Sequence, residues 1–447
     1  MVSSFLLVAL NIDAILDEVT LYQRRKKLDE MTKGEGLGDA YEAIFSRIRA
    51  QSRSRSKLGM EVLMWVSHAK RPLHVNELCH ALGVEEGSID LNIRNIPAIE
   101  TLLECSLGLV TVEKSSSTVR LVHYTLQEYL SNNHNLFVKP HSTIAEVCLT
   151  YLNFRHVMSF LPTLRSFSPT APFTEYASCY WGTHSRLEST EKVKVLALKL
   201  LDGYDKHISS EILLSRRMDI RGRHFDPEYT PRGFIGLHGA AYLRYEEIVV
   251  TLLETNQLDV QATDFHGNTA IIWAAREGHE RVVKVLLERN GVNPNTPDNE
   301  CGQTPLSWAA KNGHEGVVKM LLEQKDVNPN KADKREQTPL LWAAANGHEG
   351  VVMILLERNE VNPNITDTKY GQTPLSWAVK KGHEGVVRLL LRRNDVNPNT
   401  VDLGGQTPLS RATENGHGRI VEILLKLQDL NPVPPYIEYR QKQPQPD

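Results

Sequence analysis

A threonine recurs at Thr269, Thr304, Thr338, Thr373 and Thr407, each inside a near-copy of Gly-x-Thr-Pro-Leu-x-Trp-Ala, at spacings of 35, 34, 35 and 34 residues. A period between about 20 and 50 residues marks stacked supersecondary units, none of which buries its own apolar face. A Gly-His pair stands nine residues after each threonine, from Gly278-His279 to Gly416-His417. A worn copy, Ile235-Gly236-Leu237-His238-Gly239-Ala240-Ala241, precedes the five and makes six units. Between segments 302–330 and 371–399, 22 of 29 residues are identical, which points to duplication rather than convergence.

Each unit reads as helix, turn, helix, loop. Thr304 suits an N-cap, where its hydroxyl accepts an orphan backbone N–H. Pro305 suits the first helical position, where no N–H is needed. Gly313 supplies the left-handed residue past the helix end. Val317, Val318, Leu321 and Leu322 then form an apolar helical stripe. Val327-Asn328-Pro329-Asn330 closes the unit, because a proline disfavours helix at the residue before it.

These residues resemble an ankyrin array over about residues 230–432. They match the family's Asp-x-x-Gly-x-Thr-Pro-Leu-His-x-Ala-Ala…Gly-His…Val-Val-x-x-Leu-Leu pattern at Asp298, Gly302, Thr304, Pro305, Leu306, Ala309, Ala310, Gly313, His314, Val317, Val318, Leu321 and Leu322. The family histidine after Leu is replaced by Ser307, Ser376, Ser410 and, in one unit, Leu341. In the family that histidine hydrogen-bonds across neighbouring loops. Serine is too short to do so, which predicts a less rigid array that Ser307→His would stabilise. Cys301 and Tyr370 each add one residue to a loop. The resemblance implies a curved solenoid with its finger loops and first helices on the concave side.

Variation within the constant frame marks a candidate protein-binding surface. The differing positions are Phe265, His266, Glu300, Lys334, Arg335, Lys369 and Tyr370 in the fingers, and Arg276, Lys311, Asn346, Lys380 and Lys381 at the first-helix ends. Drift at solvated positions would give the same pattern. Trp273, Trp308, Trp342 and Trp377 share one repeat position. They could stack a ligand, but a periodic apolar position is ordinarily core. The repeated histidines cannot share a metal across helices 8–10 Å apart; they read as turn residues.

The N-terminal half differs. Helix signals cover 40–48, 58–68, 76–82 and 97–107; strands at 109–112 and 119–123 flank a polar turn, and a helix follows over 124–130. Three helices and a hairpin make a winged helix. Arg53-Ser54-Arg55-Ser56-Lys57 reads as a helix-joining loop. Between residues 40 and 135 there are ten Lys/Arg and ten Asp/Glu, and the helix over 76–82 has no Lys or Arg. A DNA reader needs positive charge against phosphate, so no nucleic-acid partner is expected.

Lys70-Arg71-Pro72-Leu73-His74, Cys105-Ser106-Leu107-Gly108-Leu109 and Val119–Leu130 resemble the winged-helix segment that follows the NACHT nucleotide-binding module in fungal signalling ATPases. That segment is conventionally named after an inositol deacylase. Residues 5–32 resemble the helices closing that module. His123 and Glu128 match the family's His-x-x-x-x-Glu pattern. The chain has no Gly-x-x-x-x-Gly-Lys-[Ser/Thr] phosphate loop and no Gly-x-Ser-x-Gly nucleophile elbow. With nothing to sense, His123 reads as a residue hydrogen-bonding its own domain.

The expected fold class is therefore mostly α: an ankyrin α-solenoid preceded by a winged helix and a helical connector. The expected boundaries are 1–38, a helical remnant of a NACHT module; 39–135, the winged helix; 136–230, the connector; 231–432, six repeats; and 433–447, a disordered Pro/Gln-rich tail. The expected function is a non-enzymatic interaction scaffold or sensor of NACHT descent, with no cofactor, metal or catalytic residue. The alternatives are the regulatory half of a nucleotide switch whose ATPase lies on another chain, and, third, a DNA-binding regulator. A net charge of −3 over 447 residues argues against bulk attraction to nucleic acid or an anionic membrane. The run Phe5–Leu10 is too short to span a bilayer and reads as part of a buried helix continuing to Val19. Five dispersed cysteines fit a reducing compartment; the cytoplasm is expected, with the nucleus as an alternative.

Overall fold

The computed structural model describes residues 19–26, 37–160, 171–219, 233–254 and 258–430. It divides into two compact units, Met1–Ile248 and Val249–Asp447. Most of the expected N-terminal remnant and the Pro/Gln-rich tail lie outside the described residues. Val19 is described and is 90 % exposed in a bend, so the buried helix expected through it does not reach that far.

Past a helical stretch over residues 21–26, the first unit contains α1 (Leu37–Ala50) and α2 (Arg53–His68). They meet through buried Ile44, Phe45, Ile48, Val62 and Leu63. Gly59 permits the approach: a Cβ there would lie 2.5 Å from the Cys105 carbonyl oxygen and 3.1 Å from Ile48. The run from Arg53 to Lys57 is not a loop but the first turn of α2, so that expectation is corrected. It contains no helix breaker, and Arg55 pairs with Glu104 at 2.5 Å and Lys57 with Glu61 at 3.7 Å.

A three-stranded antiparallel sheet follows, built from β1 (Leu73–His74), β2 (Val110–Glu113) and β3 (Thr118–Leu121), in the order β1-β3-β2. Leu73 pairs with Val119 and Val112 with Val119 from the other side. Two residues are too few to show alternation, so β1 has no sequence signal; its pairing with β3 creates it. Between β1 and β2 lie α3 (Val75–Leu82) and α4 (Ile99–Cys105). The α3 N-terminus is a capping box of His74 and Glu77, and Arg71 grips Glu77 with two bonds of 2.6 and 2.7 Å. Asn76 is the one exposed residue of α3. His80, the helix's one ring side chain, meets the Tyr151 hydroxyl at 3.3 Å.

His123 caps α5 (Tyr124–Asn132). Its Nδ1 lies 2.8 Å from Thr125 Oγ1, which in turn meets the Tyr41 hydroxyl at 2.8 Å. The histidine thus ties α5 to α1 inside its own domain.

The connector contains α6 (Pro140–Leu152), α7 (Arg155–Met158), α8 (Thr174–Leu187), α9 (Glu191–Leu201) and α10 (Ile208–Asp219). Helices α6 and α8 pack closely, with Cys148, Tyr151, Tyr176 and Trp181 fully buried. The first helix of the worn repeat, α11 (Gly236–Tyr242), lies in this unit and packs on α9. A Cβ at Gly239 would strike the Tyr204 ring at 2.7 Å, so the unit needs glycine there.

After α12 (Glu246–Glu254), the second unit stacks five helix pairs: α13 (Ala270–Glu277) with α14 (Glu280–Leu287), α15 (Pro305–Asn312) with α16 (Glu315–Leu322), α17 (Pro339–Asn346) with α18 (Glu349–Leu356), α19 (Pro374–Lys381) with α20 (Glu384–Leu390), and α21 (Pro408–Glu414) with α22 (Gly418–Leu430). First helices pack on first helices and second on second. Thr304, Thr338, Thr373 and Thr407 cap through the hydroxyl, while Thr269 occupies the same position without that bond. Among the described residues no helix is long and apolar enough to cross a membrane.

Candidate protein-binding face of the repeats

Each finger loop is organised by one aspartate. Asp333 is 6 % exposed. It accepts from the backbone N–H of Arg335 at 2.8 Å, from that of Gln337 at 3.0 Å and from Trp342 Nε1 at 3.0 Å. Asp264, Asp298 and Asp367 hold Trp273, Trp308 and Trp377 by the same indole bond, at 3.0, 2.9 and 2.8 Å. The shared tryptophan position is therefore both packing and a polar brace, the polar tip that a buried indole requires. In the last repeat Arg411 replaces tryptophan and reaches Asp402 at 2.6 Å. Burial alone would raise the Asp402 pKa, but bonds from Gln372, Arg411 and the backbone of Gln406 and Gly404 hold it down to about 2.

The expectation of a loosely joined array is corrected. Ser307 does stay within its own repeat, meeting Thr304 Oγ1 at 3.1 Å. Other residues bridge the repeats instead. His314, His348 and His383 donate from Nε2 to the carbonyls of Arg276, Lys311 and Ala345 at 3.1, 3.0 and 3.2 Å. Those carbonyls lie near the end of the preceding first helix, where intrahelical partners run out. The histidines are thus bridges between repeats, beyond the turn role expected of them. Gly347 makes room for one: it has φ +77°, and a Cβ there would lie 2.7 Å from the His383 ring.

The Val-Asn-Pro-Asn segments add an asparagine ladder. Asn295, Asn330 and Asn364 donate from Nδ2 to the carbonyls of Asp326, Glu360 and Asp395 at 2.8, 2.6 and 2.6 Å. Each accepts through Oδ1 from the backbone N–H of Asn328, Asn362 or Asn397. Successive finger tips are also joined by backbone bonds, such as Lys334 N–H to the Cys301 carbonyl at 2.8 Å.

With the frame braced, the variable residues carry the chemistry. The structure gathers Arg335, Asn346, Lys369, Tyr370 and Lys381 around one cleft of about 290 Å³, with Gln337, Trp342, Ala345 and Trp377. Trp342 and Trp377 are half-buried, whereas Trp273 and Trp308 are buried. The Lys380 ammonium lies 4.5 Å from the Tyr370 ring centroid and 4.8 Å from that of Trp377. A hydrogen bond from Lys369, and then its charge, hold the Tyr370 hydroxyl below its ordinary pKa.

The other expected residues do not line the cleft. Arg276 sits against Trp308 of the following repeat, and Lys311 lies 3.8 Å from the ring centroid of Trp342, one of the cleft's two indoles. Lys334 donates to the Asn299 carbonyl at 2.5 Å. Phe265 is 59 % exposed at an earlier finger tip and meets the His266 ring edge-on at 5.3 Å. His266 faces Glu300 at 3.8 Å. Gln337 was not among the expected residues, and Ala345 counted only as one of the varying first-helix ends. The signal for Ala345 lies in the column Arg276, Lys311, Ala345, Lys380, where one member lacks a charge.

A family model described as ankyrin repeats, three copies, matches residues 211–298, 237–333, 290–367, 327–402 and 359–433. The chain is an ankyrin-repeat protein. A second model, GPI inositol-deacylase, winged helix domain, matches residues 46–139, the segment containing the α3 capping box and the three-stranded sheet. No curated protein matches the sequence. Ankyrin repeats are non-catalytic interaction modules that generally bind proteins, and the winged-helix type suggests descent from the NACHT family. The ankyrin fingers and first helices carry all twelve expected partner-binding residues.

Proposed function

We propose that this ankyrin-repeat protein is a non-enzymatic interaction scaffold or sensor, and that a protein segment docks on its finger tips and first helices. The observation that supports the reading most is the division of labour within each repeat. Aspartates, histidines and asparagines are consumed in bracing the array, while Arg335, Lys369, Tyr370 and Lys381 are exposed beside one cleft. Tyr and Arg are enriched where binding energy concentrates, and four neighbouring cations, counting Lys380, favour a segment that carries acidic residues.

The absence of a phosphate-loop string from the sequence supports a chain that does not itself turn over ATP. The winged-helix type favours a second reading, in which the partner is a separate NACHT ATPase and this chain regulates it. Pull-down with the full chain identifies the partner. Tyr370→Ala and Arg335→Ala should each weaken that partner about tenfold, about 1.4 kcal/mol. Lys319→Ala and Glu323→Ala, exposed on and just beyond α16, should not. The opposite pattern would move the interface to the second helices and sink the first reading.

A further inference from the structure

The tryptophan column has one open rung. In two rungs the chain fills the space between successive indoles with a cation of its own. The Arg276 guanidinium carbon lies 5.5 Å from the Trp273 ring centroid and 4.0 Å from that of Trp308. The Lys311 ammonium lies 4.7 Å from Trp308 and 3.8 Å from Trp342. Lys311 also donates to Gln303 Oε1 at 3.3 Å. A cation over an indole face is attracted by the ring quadrupole, more strongly when partly desolvated.

The next residue of that column is Ala345, and the cleft of about 290 Å³ opens there, lined by Trp342 and Trp377. Gln337, the counterpart of Gln303, lines the same cleft and is 8 % exposed. Its Oε1 is buried with no hydrogen-bond partner among the described residues. The rung thus keeps two indoles and a buried acceptor, and lacks the donor cation that Lys311 supplies to Gln303 in the preceding rung; in the following rung Lys380 stands on Trp377 and Tyr370 instead, and Gln372 Oε1 is unpaired as well. Behind the indoles, the buried carboxylates of Asp333 and Asp367 accept from the Nε1–H groups and add negative potential.

We propose that this rung is a slot for a lysine or arginine side chain of a protein partner, delivered by a segment with acidic residues on both sides. The proposal rests on the reading of this face as a protein-binding surface and names what enters its cleft. The basic head would lie between Trp342 and Trp377 and donate to Gln337 Oε1, as Lys311 does to Gln303. An apolar side chain would leave Gln337 Oε1 unpaired, and a carboxylate would set acceptor against acceptor. The surrounding charge explains the flanking acids: Arg335, Lys369 and Lys381 at the rim, with Lys311 against Trp342 and Lys380 against Trp377, repel a bare cation and attract carboxylates around it.

The test uses the full chain, the peptides Ac-Asp-Glu-Arg-Glu-Asp-amide and Ac-Asp-Glu-Gln-Glu-Asp-amide, and the variant Ala345→Lys, which places this chain's own ammonium in the slot. The wild-type chain should bind the arginine peptide at least tenfold more tightly than the glutamine peptide in calorimetry. Ala345→Lys should abolish that preference and raise the urea midpoint. Equal affinity for the two peptides overturns the slot while leaving the face as a site for acidic segments. No binding of either peptide also overturns the slot; the face is then judged separately by Tyr370→Ala and Arg335→Ala against the recovered partner. A lowered midpoint for Ala345→Lys, or failure of that variant to fold, shows that the rung rejects a cation and overturns the proposal without touching the wider reading.

Discussion

Asp333→Ala tests whether the finger-loop aspartates hold the repeats together. The carboxylate accepts four hydrogen bonds: from the backbone of Arg335 at 2.8 Å and Gln337 at 3.0 Å, from Trp342 Nε1 at 3.0 Å, and from Gln303 Nε2 of the preceding repeat at 3.3 Å. Arg335 is exposed, so water can replace its bond. Gln303 and Gln337 are buried and Trp342 is half-buried. Each stranded buried donor costs roughly 1–3 kcal/mol. Water entering at the loop offsets part of three such penalties, which leaves about 3–5 kcal/mol. With a urea m-value of about 2–3 kcal/mol/M, that lowers the midpoint by about 1–2 M. Urea titration followed by tryptophan fluorescence and far-UV circular dichroism measures it. Ser307→Ala is the control, because Ser307 Oγ has one bond, to Thr304 in its own repeat, and should cost about 1 kcal/mol. Asp333→Asn should fall between the two, since one oxygen can still serve the backbone amides. If Asp333→Ala shifts the midpoint no more than Ser307→Ala, the brace assigned to the aspartate is wrong.

Ser307→His should destabilise by about 1–3 kcal/mol, because Ser307 is fully buried and a larger ring overpacks the site; a higher urea midpoint would restore the sequence-based expectation. Gly347→Ala combines a positive φ with a collision against the His383 ring. Where alanine fits the backbone such a change stabilises slightly, but here it should destabilise by more than about 1 kcal/mol, read as a loss of urea midpoint that the exposed Gly418→Ala does not share. In the first unit, burial and then His141 push the His184 pKa from 6.5 to about 3. The folded value lies below the unfolded one, so its contribution is complete above pH 6.5 and is lost as pH falls toward 3, at no more than about 1.4 kcal/mol per pH unit. His184→Gln should flatten the fall in melting temperature between pH 6.5 and 4; an unchanged slope would remove His184 as its cause.

The sequence by itself determined what is local to one repeat. The proline after four of the five threonines, the glycine past the helix and the valine-leucine stripe act within a dozen residues, and the helices appear where those signals place them. The same holds for α3, whose His74 and Glu77 cap a pattern readable in the sequence. Tertiary structure decided what joins residues 30 or more positions apart. Serine at the family's histidine position suggests weak joints, yet His348 reaches Lys311 and Asn330 reaches Glu360, because stacking brings side chains beside carbonyls that no local window connects. It also decided that Leu73–His74 is a strand, since its pairing with Val119 comes from a distant segment. The cleft follows the same rule. Ala345 looks like an innocuous helix residue in one dimension. Only when Trp342 and Trp377 are stacked around it, with Gln337 Oε1 left unpaired beneath, does the missing side chain become a site.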